Sequence, residues 1–247
     1  MPLIISPRIQ PWVRQEIVEF FSAERGHAAF WHSAFQEFFY KSFFSNGEEL
    51  FIIFTGYGQL SVAAAIIHEY HRLFEKHEDR PRAFFLGSCV ITTQSPANLN
   101  DIIVPTKAFS RSTVATEIAS RFSTNTQSGD PWLFNKALRE MAQRIGGEKK
   151  IVIHHGKIYS HETFFEDFWV SFETDWGHRE GYMGGDYECA SFVVSCNYIG
   201  VPMLAILQAT DSRKGGSYVE VPRKEKRETL RKVLDLLRDV IKESAMD

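Results

Sequence analysis

Short apolar runs, each closed by glycine or a polar turn, are the feature of this sequence that most constrains its fold. A short apolar run without polar alternation is typical of a strand that is buried on both faces of a sheet. Segments with helical spacing separate these runs, and this alternation predicts an α/β protein with helices over a central sheet. The predicted strands are residues 50–54, 83–86, 101–105, 151–153 and 203–207.

Apolar residues at helical spacing predict helices after residue 58, between 131 and 145, over 187–198 and over 226–242. Asp130 followed by Pro131 predicts the start of the second of these helices, and glycines 146–147 predict its end. The stretch 110–130 is rich in serine and threonine and predicts a long loop, of the kind that often covers a site. We find neither an internal repeat nor a linker, so we expect one domain over residues 1–247.

Composition and charge exclude several classes of partner. Lys and Arg total 28 against 31 Asp and Glu, a formal net charge of −3, whereas nucleic-acid coats and polybasic membrane arms need a strong basic excess. No segment approaches the ~18 apolar residues of a membrane span, and the start lacks the features of a signal peptide. Cys89, Cys189 and Cys196 show no CxxC spacing. We therefore expect a reduced, cytoplasmic protein with no nucleic-acid or membrane partner.

Two patterns that suggest a cofactor or a metal are incomplete. Residues 56–58 (GYG) join a strand to a helix, but Ser61 stands where a dinucleotide-binding fingerprint has its third glycine. Such a turn still presents backbone N–H groups that suit an anion or a hydroxyl, although tight-turn geometry alone explains it equally well. His68 and His71 lack the HExxH spacing. We therefore expect no cofactor and no metal.

Six short motifs follow the predicted strands in a fixed order. They are residues 56–58 (GYG), 87–88 (GS), 100–106 (NDIIVPT), 160–164 (SHETF), 186–191 (DYECAS) and 209–211 (ATD). Their order and spacing resemble those of the nucleoside phosphorylase and nucleosidase superfamily over about residues 50–213. The resemblance implies a three-layer α/β/α fold with a central mixed β-sheet. It also implies a homo-oligomer that acts on a purine nucleoside or nucleotide, with phosphate or water as the second reactant.

The resemblance also assigns the residues that act on the glycosidic bond. Breaking this bond builds positive charge on the sugar and negative charge on the base, so an acid at purine N7 stabilises the leaving group. By resemblance this acid is Asp211, with Arg227 assisting it. A carboxylate that binds the ribose hydroxyls orients the sugar and steadies its developing charge. By resemblance this carboxylate is Glu188, with Tyr187 beside it on the ribose.

The remaining assignments concern the base and the second reactant. By resemblance the purine stacks on Phe164, with Cys89 also on the base side. A phosphate nucleophile needs several donors, and the resemblance gives this role to Gly87, Ser88 and Arg14, with Arg8 as a competing choice for the arginine. Alternatives that need no function remain for three of the assigned residues: Asp211 as a loop cap, Glu188 as a carboxylate at a helix start, and Phe164 as part of the core.

Four departures from the family pattern bear on activity. An arginine that the phosphorylases carry is Phe85 here, and a following pair of glycines is Val90-Ile91. The methionine between the two acids is Tyr187, and the stretch that supplies the water-activating glutamate of the nucleosidases is missing. Residues 166–168 lack the Gln and Arg with which pyrimidine phosphorylases hold uracil, which favours a purine.

The sequence therefore predicts an enzyme that cleaves the N-glycosidic bond of a purine nucleoside or nucleotide, with phosphorolysis slightly favoured. Such an enzyme is a pentosyltransferase of the nucleoside phosphorylase type. The first alternative is an N-glycosidase, in which water replaces phosphate and the substrate is of the AMP or methylthioadenosine type. The second alternative belongs to another class, a non-catalytic paralogue that only binds a nucleoside.

Overall fold

The computed structural model describes residues 2–7, 10–25, 36–43, 48–55, 58–70, 81–124, 130–161, 181–212 and 219–246. Within these ranges the chain forms a ten-stranded mixed sheet and six α-helices, and the π-helical segment Ala65–Tyr70 continues the second helix. The elements in chain order are β1 (Pro2–Pro7), α1 (Pro11–Phe20), β2 (Glu24–Arg25), β3 (Gln36–Phe43), β4 (Glu49–Thr55), α2 (Gln59–Ala64), β5 (Arg82–Ile91), β6 (Ile102–Phe109), α3 (Thr113–Thr124), α4 (Lys136–Glu148), β7 (Ile153–Ser160), β8 (Tyr182–Asp186), α5 (Cys189–Tyr198), β9 (Met203–Ser212), β10 (Val219–Glu220) and α6 (Arg223–Glu243).

The strands are ordered β10-β9-β6-β7-β8-β5-β1-β4-β3-β2, and β5 also pairs with β9. This extra pairing closes five strands, β5, β8, β7, β6 and β9, into a ring. β1 and β4 extend the sheet from β5 as parallel strands, whereas β8 meets β5 and β6 meets β9 in antiparallel pairs. The central mixed sheet expected from the sequence is therefore confirmed.

Helices cover both faces of the sheet, which gives the expected three layers. Side chains of α2, α3 and α5 pack into one apolar cluster, and those of α1, α4 and α6 pack into the other. Neighbouring residues of one strand supply opposite clusters, because side chains alternate along a strand: Phe85 faces the first and Phe84 the second. This double burial explains why the strands appear in the sequence as continuous apolar runs.

Four of the five predicted strands, residues 50–54, 83–86, 101–105 and 203–207, are confirmed as β4, β5, β6 and β9. The bounds of the fifth, predicted over 151–153, are wrong, because β7 begins only at Ile153 and continues to Ser160. β5 and β6 are longer than expected, and β5 continues to Ile91 because its last residues gain partners in β8 and β9. The helices after residue 58, over 187–198 and at the end of the described chain are also confirmed, as α2, α5 and α6.

The long loop predicted over residues 110–130 is wrong, because α3 occupies much of this stretch. The Ser112 hydroxyl accepts a hydrogen bond from the Ala115 N–H and caps the start of the helix. The buried face consists of small residues, Ala115 and Ala119, which give a weak apolar signal. Residues 125–129 of the predicted loop lie outside the described residues.

The predicted start of α4 at Asp130 is also wrong. Asp130 instead accepts a hydrogen bond from the Trp132 N–H within a turn, at 3.0 Å. The helix begins only after Asn135, whose side chain accepts from the Leu138 N–H at 3.0 Å. Both positions carry a residue that favours helix starts, and the helix uses the later one. At its other end the helix continues through the two glycines to residue 148.

The three cysteines are free and buried. Across the described ranges, no helix is both long enough and apolar enough to cross a membrane.

Substitution of Gly184 tests the closure of the ring. A Cβ at this position would lie 2.6 Å from the Val90 backbone oxygen, so Gly184→Ala must separate β8 from β5. We expect it to lower the free energy of unfolding by about 2 kcal/mol in urea denaturation. The control is Gly147→Ala, where a Cβ meets nothing within 4 Å and helix propensity favours alanine. Equal stability of the two variants would contradict the close approach.

Candidate active site

The end of β5 brings two acidic segments together. Val90 pairs with Gly185 of β8 on one side and with Asp211 of β9 on the other. Asp186 follows Gly185 at the end of β8, and Asp211 lies near the end of β9. Two segments that are far apart in sequence therefore meet on either side of one strand.

Asp186 is a buried carboxyl held by neutral donors. Its Oδ1 accepts a hydrogen bond from the Ser160 hydroxyl at 2.5 Å, and its Oδ2 accepts one from the Cys189 N–H at 2.9 Å. Burial raises the pKa of Asp186 to about 7, and the hydrogen bonds from Ser160 and from the N–H groups of Cys189 and Glu188 oppose this shift. The carboxyl is thus poised to change charge near neutral pH.

Glu188 lies between β8 and α5 and is equally buried, at 4% exposed. Its Oε1 accepts a hydrogen bond from the Gly58 N–H at 2.8 Å, which links α5 to the start of α2. Burial and the charge of nearby Asp186 raise the pKa of Glu188 to about 8. Gly58 has a φ of +95°, a conformation that favours glycine. From the sequence this turn suited an anion or a hydroxyl or was simply a tight turn, and in the structure its Gly58 N–H is bound by the carboxyl of Glu188.

Asp211 and the Gly87–Cys89 stretch complete the described part of the site. Asp211 is half-buried, and its Oδ2 accepts a hydrogen bond from the Thr210 hydroxyl at 2.7 Å. Ser88 on β5 is exposed, whereas Cys89 is buried and packs in the core. Burial, and then the charges of Asp186 and Asp211, raise the pKa of the Cys89 thiol far above its ordinary value. Cys89 therefore stays a neutral thiol between the two acids.

The two arginines assigned from the sequence lie on helices of one layer. Arg14 is half-buried on α1, and Arg227 is on α6. Arg227 forms an ion pair with Glu16 of α1, which Arg231 also contacts at 3.0 Å. Burial opposes ionisation of Glu16, but the two arginines hold its pKa below the ordinary value. Assistance of Asp211 by Arg227 stays a prediction, and Glu16 competes for its guanidinium group.

Two further assignments concern aromatic residues. Phe164, the expected purine-stacking residue, lies outside the described residues, as do Gly56 and Tyr57 of the glycine turn. Tyr187 is half-buried and packs against the buried Tyr159. The ring that replaces the family's methionine therefore extends an aromatic cluster on β7 and β8.

Phe85, at the position of the expected arginine, belongs to the core. Its side chain is 1% exposed, and its ring centroid lies 5.3 Å from that of Phe192 in α5. β5 therefore brings no cation to Gly87 and Ser88 from this position, and any phosphate there depends on donors from other elements.

Ser160 and Asp186 lie in two of the six motifs, but neither has a role in the sequence-based prediction. The structure places both at the centre of the cluster, with His161 beside them. The backbone N–H of His161 donates a hydrogen bond to the backbone oxygen of Asp186 at 2.8 Å. Burial lowers the pKa of the His161 imidazole to about 3. Asp186 accepts hydrogen bonds from the N–H groups two and three residues later, and an aspartate in such an Asx turn just before a helix is a signal that could have identified it.

The cluster has the composition of a site for a hydroxyl-rich ligand that undergoes proton transfer. Three carboxyls, a serine hydroxyl and backbone amides lie at the ends of β7, β8 and β9 and at the start of α5, and burial shifts two of the carboxyls towards their neutral forms. Among the residues that the structure describes, no group of three or more His, Cys, Asp or Glu could hold a metal ion.

Comparison of the sequence with protein-family models identifies its family. The model of the phosphorylase superfamily matches residues 14–245. The chain belongs to the phosphorylase superfamily. The resemblance drawn from the six motifs is therefore confirmed, although comparison with curated proteins gave no match.

Solved structures show the same superfamily fold at low sequence identity. Campylobacter jejuni 5'-methylthioadenosine/S-adenosylhomocysteine nucleosidase matches with a TM-score of 0.72 and 14% identity, covering 98% of this chain and 99% of that one. A futalosine hydrolase mutant of Helicobacter pylori matches with a TM-score of 0.70 and 13% identity, over 98% and 99% of the two chains. The Helicobacter pylori methylthioadenosine nucleosidase matches at 0.67 and 13%, over 98% and 100%.

The raised pKa values predict how stability depends on pH. Glu188 and Asp186 hold their protons to about pH 8 and pH 7 in the folded protein, whereas the unfolded chain releases them near the ordinary values of 4.5 and 3.8. Between these limits the folded state binds more protons, so the free energy of unfolding falls as pH rises from about 4 to about 8. Glu188→Gln keeps an oxygen for the Gly58 N–H but cannot ionise, so its free energy of unfolding should fall less steeply with pH than that of the wild type.

Urea denaturation of the wild type and of Glu188→Gln across this pH interval provides the measurement. The control is Glu117→Gln, whose carboxyl is exposed and pairs with Arg121 on α3. If Glu188→Gln and Glu117→Gln show the same slope as the wild type, Glu188 does not titrate as the buried site requires.

Proposed function

We propose that this protein cleaves the N-glycosidic bond of a purine nucleoside or nucleotide. The observation that carries the proposal is that β8 and β9 border the same end of β5, which brings Asp211 and the segment from Asp186 to Glu188 to opposite sides of one strand. Membership of the phosphorylase superfamily supports it, because the six motifs of the sequence include both acids.

The two acids suit the two charges that develop in the reaction. Asp211, half-buried beside Thr210, is proposed to protonate the purine at N7 as the bond breaks. Glu188 is proposed to accept hydrogen bonds from the ribose hydroxyls and, once it has lost the proton that a pKa of about 8 implies, to steady positive charge on the sugar from a buried position. Stacking of the base on Phe164 and packing of Tyr187 against the ribose remain part of the proposal.

The ligands of the structural neighbours support a purine. A Helicobacter pylori methylthioadenosine nucleosidase was solved with a compound that carries an amino-pyrrolopyrimidine group, and a mutant of it was solved with 5'-methylthioadenosine in its active site. Both ligands were observed in the Helicobacter pylori protein. They support a purine or purine-like base here because this chain shares the fold of that protein.

Water is the acceptor that we propose, in contrast to the slight preference for phosphate in the sequence analysis. Phe85 lies in the core where the phosphorylases carry an arginine, and the named neighbours are nucleosidases or a hydrolase. Phosphate remains the second candidate because the exposed Ser88 follows Gly87 on β5 and can donate a hydrogen bond to an anion.

Release of free base tests the proposal directly. The protein is incubated with adenosine, inosine, AMP and methylthioadenosine, with and without phosphate, and free base is measured. Release without phosphate supports hydrolysis, and release only with phosphate supports phosphorolysis. No release, with a nucleoside still raising the melting temperature, would leave a non-catalytic binding protein and end the enzymatic proposal.

Removal of the proposed acid gives a sharper prediction. Asp211→Asn should lower kcat by about 10²- to 10⁴-fold, because the amide cannot protonate the leaving base. The matched control is Asp130→Asn, which removes an acid that pairs with Lys107 on β6 and should leave kcat unchanged. Full activity of Asp211→Asn on the preferred nucleoside would remove Asp211 from this role.

A further inference from the structure

Ser160 and Asp186, here called the Ser160–Asp186 pair, join three elements through consecutive hydrogen bonds. The Ser160 hydroxyl at the end of β7 donates to Asp186 Oδ1 at 2.5 Å and accepts from the Ala190 N–H at 2.8 Å. Asp186 Oδ2 accepts from the Cys189 N–H at 2.9 Å. Ser160 is 0% exposed and Asp186 is 3% exposed, so both side chains act inside the protein.

The pair satisfies N–H groups that every helix start leaves without a partner inside the helix. Such groups are usually bound by the side chain of the residue that immediately precedes the helix. In α5 that residue is Glu188, and its side chain makes no capping hydrogen bond. The Ser160–Asp186 pair binds the Cys189 and Ala190 amides in its place.

Because the Ser160–Asp186 pair binds these amides, the Glu188 carboxyl is available for another contact. Instead of folding back on α5, it reaches the Gly58 N–H at 2.8 Å. Asp186 also contributes to holding the main chain here, because it accepts a hydrogen bond from the Glu188 N–H. The direction of the Glu188 side chain thus depends on hydrogen bonds made by two residues that lie before it in the sequence.

We propose that Ser160 is a positioning residue for Glu188: together with Asp186 it caps α5 and so leaves the Glu188 carboxyl directed towards Gly58 and the substrate. The proposal rests on the proposed function in one respect, that Glu188 binds the ribose. Ser160 itself does not touch the substrate, because it is buried and its hydroxyl is engaged by Asp186 and the Ala190 amide.

A double-mutant cycle with Ser160→Ala and Glu188→Gln tests the dependence on Glu188. Ser160→Ala should raise KM for a purine riboside by about tenfold and change kcat less, since the loss of a buried hydrogen bond misplaces a binding group. In the Glu188→Gln background the same change should alter KM less than about twofold, because two residues that act through one group are not additive.

Ser195→Ala is the matched control. Ser195 is also buried and lies on α5, the helix that the Ser160–Asp186 pair caps. Its hydroxyl has no hydrogen-bond partner among the described residues. Its loss should leave KM unchanged in both backgrounds. Equal effects of Ser160→Ala in the two backgrounds, or no effect in the wild type, would overturn the positioning role. If Ser160→Ala does not fold, Asp186→Asn replaces it in the cycle and must show the same dependence on Glu188.

A measurement without substrate separates this inference from the proposed function. The Gly58 amide is protected by the Glu188 carboxyl, so its hydrogen exchange reports the position of that side chain. Ser160→Ala should accelerate exchange at Gly58, and Ser195→Ala should not. Unchanged protection in Ser160→Ala overturns the inference, whether or not the wild type releases base. Absence of base release from the wild type, with accelerated exchange at Gly58, overturns only the proposed function.

Discussion

The rest of the structure depends on the double pairing of one strand. The last residues of β5 are bonded to β8 on one side and to β9 on the other, which closes the five-stranded ring. The same pairing determines where Asp186 and Asp211 lie, because each acid stands near the end of a strand that borders β5. Close packing at Gly184 shows how little room this arrangement leaves: a single methyl group would contact the backbone of β5. Fold and site are therefore set by one interaction.

The electrostatics of the site follow from its burial. Within the described ranges neither Asp186 nor Glu188 forms an ion pair, and both carboxyls are held by hydroxyl and amide donors. Neutral donors lower the pKa of a buried carboxyl less than an arginine does, so both acids keep raised values. By contrast, Glu16 on the other side of the sheet is also buried but has two arginines, and its pKa is lowered. A carboxyl covered by half-exposed arginines at the surface and two carboxyls in the interior therefore have opposite character.

Apolar patterning was sufficient for the layers, for the helices that bury a broad apolar stripe and for the strands β4, β5, β6 and β9. It gave the wrong bounds for β7, whose first five residues are only half-buried. It was insufficient for β1, a central strand that pairs with both β4 and β5, because a proline stands at each of its ends. It also missed α3, whose buried face is made of alanines. In both cases the structure is decided by neighbours that are far away in sequence.

Some residues of the candidate site could be predicted from local motifs, and others depend on contacts between distant parts of the chain. Glu188 and Asp211 were found because they lie in short motifs with fixed spacing. The roles of Ser160 and Gly58 depend on contacts across 30 and 130 positions of sequence, and no local pattern encodes such contacts. The partner of Arg227 was also hidden, since Glu16 approaches it only when α1 packs beside α6.

The pairing of Glu16 with Arg227 and Arg231 has a consequence for how this layer is held together. The carboxylate lies on α1, whereas both arginines lie on α6. Both guanidinium groups remain more than half exposed, so the three charges lie at the surface of this layer and not inside it. Glu16 is paired only once α6 packs beside α1, and the contact with Arg231 then joins positions that are 215 apart in the sequence. These ion pairs therefore fasten the first helix to the last one described.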